Sequence, residues 1–259
     1  MYELTAAELT AWFGQIWWPF VRLGSALMVM PIIGGNSIPA QVRVILALMI
    51  SILSAPLMPA MPAVDPLSLQ ALIYAGQQVL IGALLALLLE FLFAVFTTMG
   101  QILSMQMGLG MAMMNDPVNG VSVPAIGKYY QMYTFMLFLS LDGHLVALEI
   151  FVRSFEIWPV GEFFSQHALY LIILRFGWMI AAALLLALPA VTAMLLVNGA
   201  FGMMNRAAPQ LNVFALGFPM TMLLGLICLL LSNTGIPENF VRLSSDTLEM
   251  MRLLEGGTP

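Results

Sequence analysis

The run at residues 71–103, ALIYAGQQVLIGALLALLLEFLFAVFTTMGQIL, decides what kind of molecule this is. Its only charge is Glu90. A helix rises about 1.5 Å per residue, so the run predicts a helix of roughly 50 Å, against a bilayer hydrocarbon core of about 30 Å. That is too long for one simple span. A second oversized run, 169–200, carries Pro189, and shorter apolar runs lie at 42–58, 126–152 and 213–231. Before them, Thr5 and Glu8 form a capping-box pattern with Leu4 and Leu9 at staple positions, which predicts a first helix through Trp12, Trp17 and Trp18 to Met30. Pro31, Gly34, Gly35 and Asn36 then break the chain. Asp65 and Pro66 read as N-cap and first residue of the third helix.

Composition agrees with that pattern. Of the 259 residues, 61% are hydrophobic and 8% charged, and the mean hydropathy is +0.98, the composition of an integral membrane protein; with the helix-length runs the expected fold is all-α, of long broken hydrophobic helices and hairpins. No polar stretch between runs is long enough for a separate soluble core. The single cysteine, Cys228, excludes an internal disulfide framework. The N-terminus lacks a basic region and a small-residue cleavage site, so the first helix is expected to be retained. A net charge of -5 gives no electrostatic case for nucleic acid.

Between the two halves lies GQILSMQMGLGMAMMNDPVNGVSV, residues 100–123. Thioethers on unbranched stems suit irregular or changing surfaces, and Gly108 and Gly110 add backbone freedom. Asn115, Asp116 and Pro117, then Asn119 and Gly120, are turn chemistry. An apolar, non-helical segment of this kind reads as a loop that can seal something. A faint echo of its glycine-methionine-asparagine pattern recurs from Gly202 to Arg206, with Pro209 beyond, which is most simply chance in so methionine-rich a chain.

Charges form a second anomaly. Arg22, Glu90, Asp142, His144, Glu149 and Arg175 fall inside or at the edges of apolar runs, where each would cost about 2.5–3.5 kcal/mol near the bilayer centre unless paired or facing a wet interior. The basic residues are spread too thinly for the connections to define an orientation. Near the C-terminus, Phe240, Leu243, Met250, Met251 and Leu254 alternate with Arg242, Asp246, Glu249 and Arg252, which predicts an amphipathic helix. Its acidic balance favours docking on another protein over adsorption to anionic lipid.

The search for reaction chemistry returns little. No carboxylate lies four residues from His144, no zinc-type motif or His cluster occurs, and His167 reads as a loop residue. The one faint serine-hydrolase arrangement, Ser37 with His144, is spoiled by the turn and Pro39. No cofactor, metal or catalytic residue is assigned.

Several features in order carry a family resemblance: Pro31 with Gly34, Pro39 and Arg43; Gly82 and Glu90; Gly100 with Met107 and Gly108; Asp116 and Pro117; Gly143 and His144; Ser154, Phe155 and Pro159; Leu188 and Pro189. The most specific is Arg206-x-x-Pro209-Gln210-Leu211-Asn212-Val213-Phe214. Over nearly its whole length the chain resembles the FliR family, the R subunits of the bacterial flagellar type III protein export gate, a branch related to the injectisome subunits. The resemblance implies a non-enzymatic subunit packed with FliP-like and FliQ-like subunits into a helical channel for unfolded flagellar proteins. An FlhB-like switch subunit, an FlhA-like ring subunit and membrane lipid would be its other neighbours, in the bacterial inner membrane at the flagellar basal body, with much of the assembly on the periplasmic side.

By position, the resemblance implies that one domain, 1–259, holds a P-like portion over about 1–200 and a Q-like portion over about 201–259. It also implies that the loop within 106–123 plugs the pore, through Met105, Met107, Gly108, Leu109, Gly110, Met111, Met113, Met114, Asn115, Asp116 and Pro117. Assembly or buried-polar roles fall to Arg22, Glu90, Asp142, His144, Glu149, Arg175, Arg206, Pro209, Gln210 and Asn212. The alternative is a stand-alone secondary transporter or channel for a small solute, whose buried charges would line one midplane site.

Overall fold

The computed structural model describes residues 6–35, 38–109, 124–207 and 213–256. Among them the chain is helical: α1 Ala6–Val29, α2 Ala40–Ser54, α3 Leu69–Gln106, α4 Ala125–Ser140, α5 Gly143–Ile157, α6 Gln166–Ala207, α7 Val213–Asn233 and α8 Ile236–Gly256. Three helices are long and apolar enough to cross a membrane, or up to five segments if each bent pair is one span.

The two oversized runs are oversized helices. α3 has 38 residues and α6 has 42, roughly 57 and 63 Å. Pro189 lies inside α6 without ending it. The start of α3 differs from the expectation. Asp65 instead closes the preceding turn, its carboxylate accepting from the Leu67 N–H at 3.1 Å, and Ser68 caps the helix by accepting from the Ala71 N–H at 3.1 Å. A serine hydroxyl three residues before the donating N–H is the ordinary N-cap geometry. His167, expected in a loop, belongs to the first turn of α6, which Ser165 caps through the Ala168 N–H at 3.1 Å.

The apolar run 126–152 is two helices. It breaks at Leu141–Asp142, where Asp142 adopts φ 54, a left-handed conformation that Asp tolerates better than most residues, and its carbonyl accepts from Leu145 and Val146 to open α5. Hydropathy has no term for such a break. α7 ends at Asn233, two residues beyond the apolar run, and Pro237 lies in the first turn of α8, a position that costs no hydrogen bond. The predicted amphipathic helix is α8. Its apolar face, Ile236, Phe240, Leu243, Met251 and Leu254, is buried within this chain rather than left for another protein.

The chain forms two compact units. Unit 1 comprises 1–91, 141–175 and 245–259; unit 2 comprises 92–140 and 176–244. In unit 1, α1 packs on α2, and Gln15 of α1 ties the proline-rich connector by donating to the Ala55 carbonyl at 3.0 Å and accepting from the Met61 N–H at 3.3 Å. Gly82 of α3 lies so close to α1 that a Cβ there would stand 2.1 Å from the Arg22 carbonyl oxygen. In unit 2, Phe93 meets Phe135, Phe138 and Phe240 at ring-centre distances of 5.0, 5.3 and 6.2 Å, an edge-on and tilted cluster at the heart of the unit.

Candidate functional site

Unit 2 holds both stems of the methionine-rich segment, and the structure fixes each. On the N-terminal side α3 ends in a Schellman motif: the Gly108 N–H donates to Met105 O at 3.1 Å and the Leu109 N–H to Ser104 O at 3.0 Å. Gly108 takes φ 79, the left-handed value that this motif needs and that glycine adopts without a Cβ penalty. Its role is therefore a defined stop, not the looseness expected of it. Met107 beside it is 2% exposed and lies against Gly225 of α7, where a Cβ would come within 2.4 Å of Met107 Cγ. Met105 points outward and is exposed.

The C-terminal stem is tied to the same helix. Pro124 O accepts from the Lys128 N–H at 3.0 Å as α4 begins. Gly100 and Gly127 let α3 and α4 touch backbone to backbone, since a Cβ on Gly100 would stand 2.8 Å from the Gly127 Cα. Small-on-small contact of this kind is a familiar device for close helix approach in membranes. Both stems thus leave one rigid hairpin. Gly110, Met111, Met113, Met114, Asn115, Asp116 and Pro117 lie outside the described residues, as do Pro209, Gln210, Asn212 and Ser37. The proposed echo of the loop pattern at Gly202–Arg206 is helical, the end of α6.

Among the described residues the charged candidates do not converge on one site. Arg22 is 0% exposed in unit 1 and sits among neutral acceptors: Nε donates to Gln78 Oε1 at 2.8 Å, one terminal nitrogen to Ser154 Oγ at 2.9 Å, and the other to Trp158 O at 2.7 Å. Ser154 spends its own hydroxyl proton on Phe151 O at 2.6 Å, which leaves its lone pair facing the guanidinium. The ring of Phe155 lies 3.7 Å beneath the guanidinium carbon. Burial pulls the Arg22 guanidinium down to about 9, still above neutral pH, so the group carries its charge. Arg175 is also buried and pairs with Asp246 at 2.9 Å while donating to Thr247 Oγ1 at 3.1 Å, which fastens α8 to α6 within unit 1.

The other candidates occupy surfaces of the chain. Asp142 and Glu149 are exposed, and Glu149 pairs with Arg153 one helical turn on at 3.0 Å. His144 and Glu90 are half-buried, and Arg206 is exposed at the end of α6. Arg43 braces the break before α2 by donating to Gly35 O and to Ile38 O. Among the described residues no three metal-binding side chains come together. Sequence reasoning passed over Gln78 and Gly225, and took Ser154 only as a mark of the family resemblance, not as a partner of Arg22. Two are ordinary polar residues whose partners lie far along the chain; the third is a lone glycine in an apolar run, and small residues there are the one signal that could have drawn notice.

Comparison with known proteins agrees with this picture. A family model described as bacterial export proteins, family 1, matches residues 13–247. The flagellar biosynthetic protein FliR of Escherichia coli is 35% identical over 227 residues, covering 87% of each chain. That of Pectobacterium carotovorum is 32% identical over 252 residues, covering 97% of this chain and 96% of the relative. The Bacillus subtilis protein of the same name is 26% identical over 239 residues, covering 91% and 92%. With the match running from α1 into α8, and relatives aligned nearly end to end, the chain belongs to the bacterial export proteins, family 1.

Proposed function

We propose that this chain is a non-enzymatic core subunit of the flagellar type III protein export gate in the bacterial inner membrane. It assembles with FliP-like and FliQ-like subunits into a channel for unfolded flagellar proteins, beside an FlhB-like switch subunit and an FlhA-like ring subunit. The observation that carries the assembly is α6, roughly 63 Å long, with Ile173, Leu184, Leu188, Leu195 and Leu196 exposed along it. A bilayer can cover only about half that length, and apolar surface of this extent in a protein marks an interface. The division into a P-like portion to about residue 200 and a Q-like portion beyond it belongs to the same reading.

The segment within 106–123 is the plug of that channel. Its support is the pair of stems: 14 residues, 110–123, leave and rejoin one fixed hairpin. At about 3.4 Å per residue they reach at most about 24 Å out and back, ample to cross a passage of helix width, about 10–12 Å. Methionine and glycine suit a seal that must exclude ions and yet yield to many side chains.

Two measurements test the reading. The native mass of the complex recovered through a tag on this chain, after co-expression with the neighbouring small membrane proteins, is expected to show one copy with several P-like and Q-like chains. A monomer or symmetric homo-oligomer would return the protein to the transporter class. Deletion of residues 108–115 is expected to raise ion conductance of the membrane; a tight membrane with normal export would remove the plug assignment.

A further inference from the structure

Two hollows in unit 2 share a wall. The larger, about 590 Å³, is lined among others by Leu103 of α3, Pro189 of α6 and Cys228 of α7; the smaller, about 170 Å³, is lined by Trp178 of α6 and Leu243 of α8. Leu185, Leu186 and Arg242 line both. Arg242 is held in place at this junction, since it donates to Asn239 Oδ1 at 3.0 Å and Asn239 donates in turn to Gly235 O at 2.8 Å. The setting is also defined along the chain. α7 has no charged residue from Val213 to Asn233, whereas α8 begins with Glu238 and Arg242 in its first two turns. The two helices meet at a bend of 57°. A change from wholly apolar to amphipathic helix at a bend is what the headgroup level of a bilayer requires of a chain.

We propose that this groove is a binding site for one anionic phospholipid, its phosphate on Arg242 and its two acyl chains in the two hollows. A single cation at the junction of two hollows, the smaller mainly apolar and the larger lined by leucines together with the neutral polar Ser232, Thr234 and Asn239, matches the layout of a diacyl lipid, one charged head beside two tails, and basic pockets beside apolar helices select anionic headgroups. Glu238 stands one helical turn from Arg242 and sets the limit on charge, so the site selects one phosphodiester rather than a multiply charged head.

The test uses Trp178 as the reporter, in the full chain reconstituted with its co-purifying partners. The other tryptophans, Trp12, Trp17, Trp18 and Trp158, are replaced by Phe, and quenching is measured in vesicles of phosphatidylcholine containing lipids with brominated acyl chains. Brominated phosphatidylglycerol is expected to quench at about fivefold lower mole fraction than brominated phosphatidylcholine, the gain that one arginine confers at an anionic surface. R242Q is expected to remove that preference and R242K to keep it. Counting lipids retained by the native complex, wild type against R242Q, gives the same answer without the tryptophan replacements. Equal quenching by the two lipids, an unchanged preference in R242Q, or release of the lipid by inorganic phosphate alone would overturn the site. Absence of quenching would do the same, by showing that protein fills the groove.

Discussion

Among the described residues, Arg22 is held by neutral partners rather than by a countercharge. A buried guanidinium normally calls for a carboxylate, yet its partners are an amide, a hydroxyl, a backbone carbonyl and an aromatic face. Each acceptor is therefore costly to lose. Gln78→Leu is expected to destabilise the protein by about 1.5–3 kcal/mol, the value of a hydrogen bond to a charged group, read as a lower melting temperature of the detergent-solubilised complex. Gly82 offers a sharper contrast. In Gly82→Ala the new Cβ would meet Arg22 backbone at 2.1 Å, whereas at Gly76 on the same helix nothing lies within 4 Å. Gly82→Ala should abolish accumulation of the chain, and Gly76→Ala should leave it unchanged or raise stability by up to about 1 kcal/mol through helix propensity. Equal accumulation of the two variants would refute the close α1–α3 contact.

At the level of elements, the stop at the end of α3 and its anchor on α7 make separable predictions. Gly108→Ala forces a Cβ into the left-handed region, at a cost of about 1–2 kcal/mol, and Gly108→Asn should be milder. Gly225→Ala should displace Met107 and leak ions if the segment beyond is a plug; Met107→Ala added to it should restore the seal, because the shortened side chain leaves room for the new methyl. The measurement is membrane conductance in the single and double variants. Additive defects would mean that the two residues act apart. These elements also show where a sequence can be read. The sheer length of α3 and α6 was plain in the unbroken apolar runs, and the 3.6-residue stripe of α8 was plain in its alternation of apolar and charged residues. The break at Asp142 left no such mark, since one residue in a left-handed conformation changes the path without changing hydropathy. The cap at Ser68 was concealed by a better-looking Asp-Pro pair three residues earlier. At the stems, Met107 and Gly108 drew notice in the sequence, but what they and Gly100 rest on did not, because Gly127 and Gly225 matter through what lies opposite them.

For the whole molecule, the exposed apolar lengths of α2, α6 and α7 predict dependence on company. Made alone, the chain should be degraded or aggregate, and co-expression of its partners should raise its steady-state level severalfold, as measured by immunoblot of the membrane fraction. Asp246→Asn belongs here as well, because it unfastens the terminal helix from Arg175 and leaves a buried cation without its anion; protease sensitivity of the C-terminus should rise. The partners of Arg22 have one more implication, which concerns time. Gln78 follows it by 56 residues in the sequence, Ser154 by 132 and Trp158 by 136. At about 5–20 residues per second, a ribosome supplies the last of them roughly 7–27 seconds after Arg22 is made. Through that interval the first helix cannot take its final place, and the newborn arginine has to be sheltered by the insertion machinery or by water at the membrane surface, so this chain is committed late, with its opening helix among the last to settle.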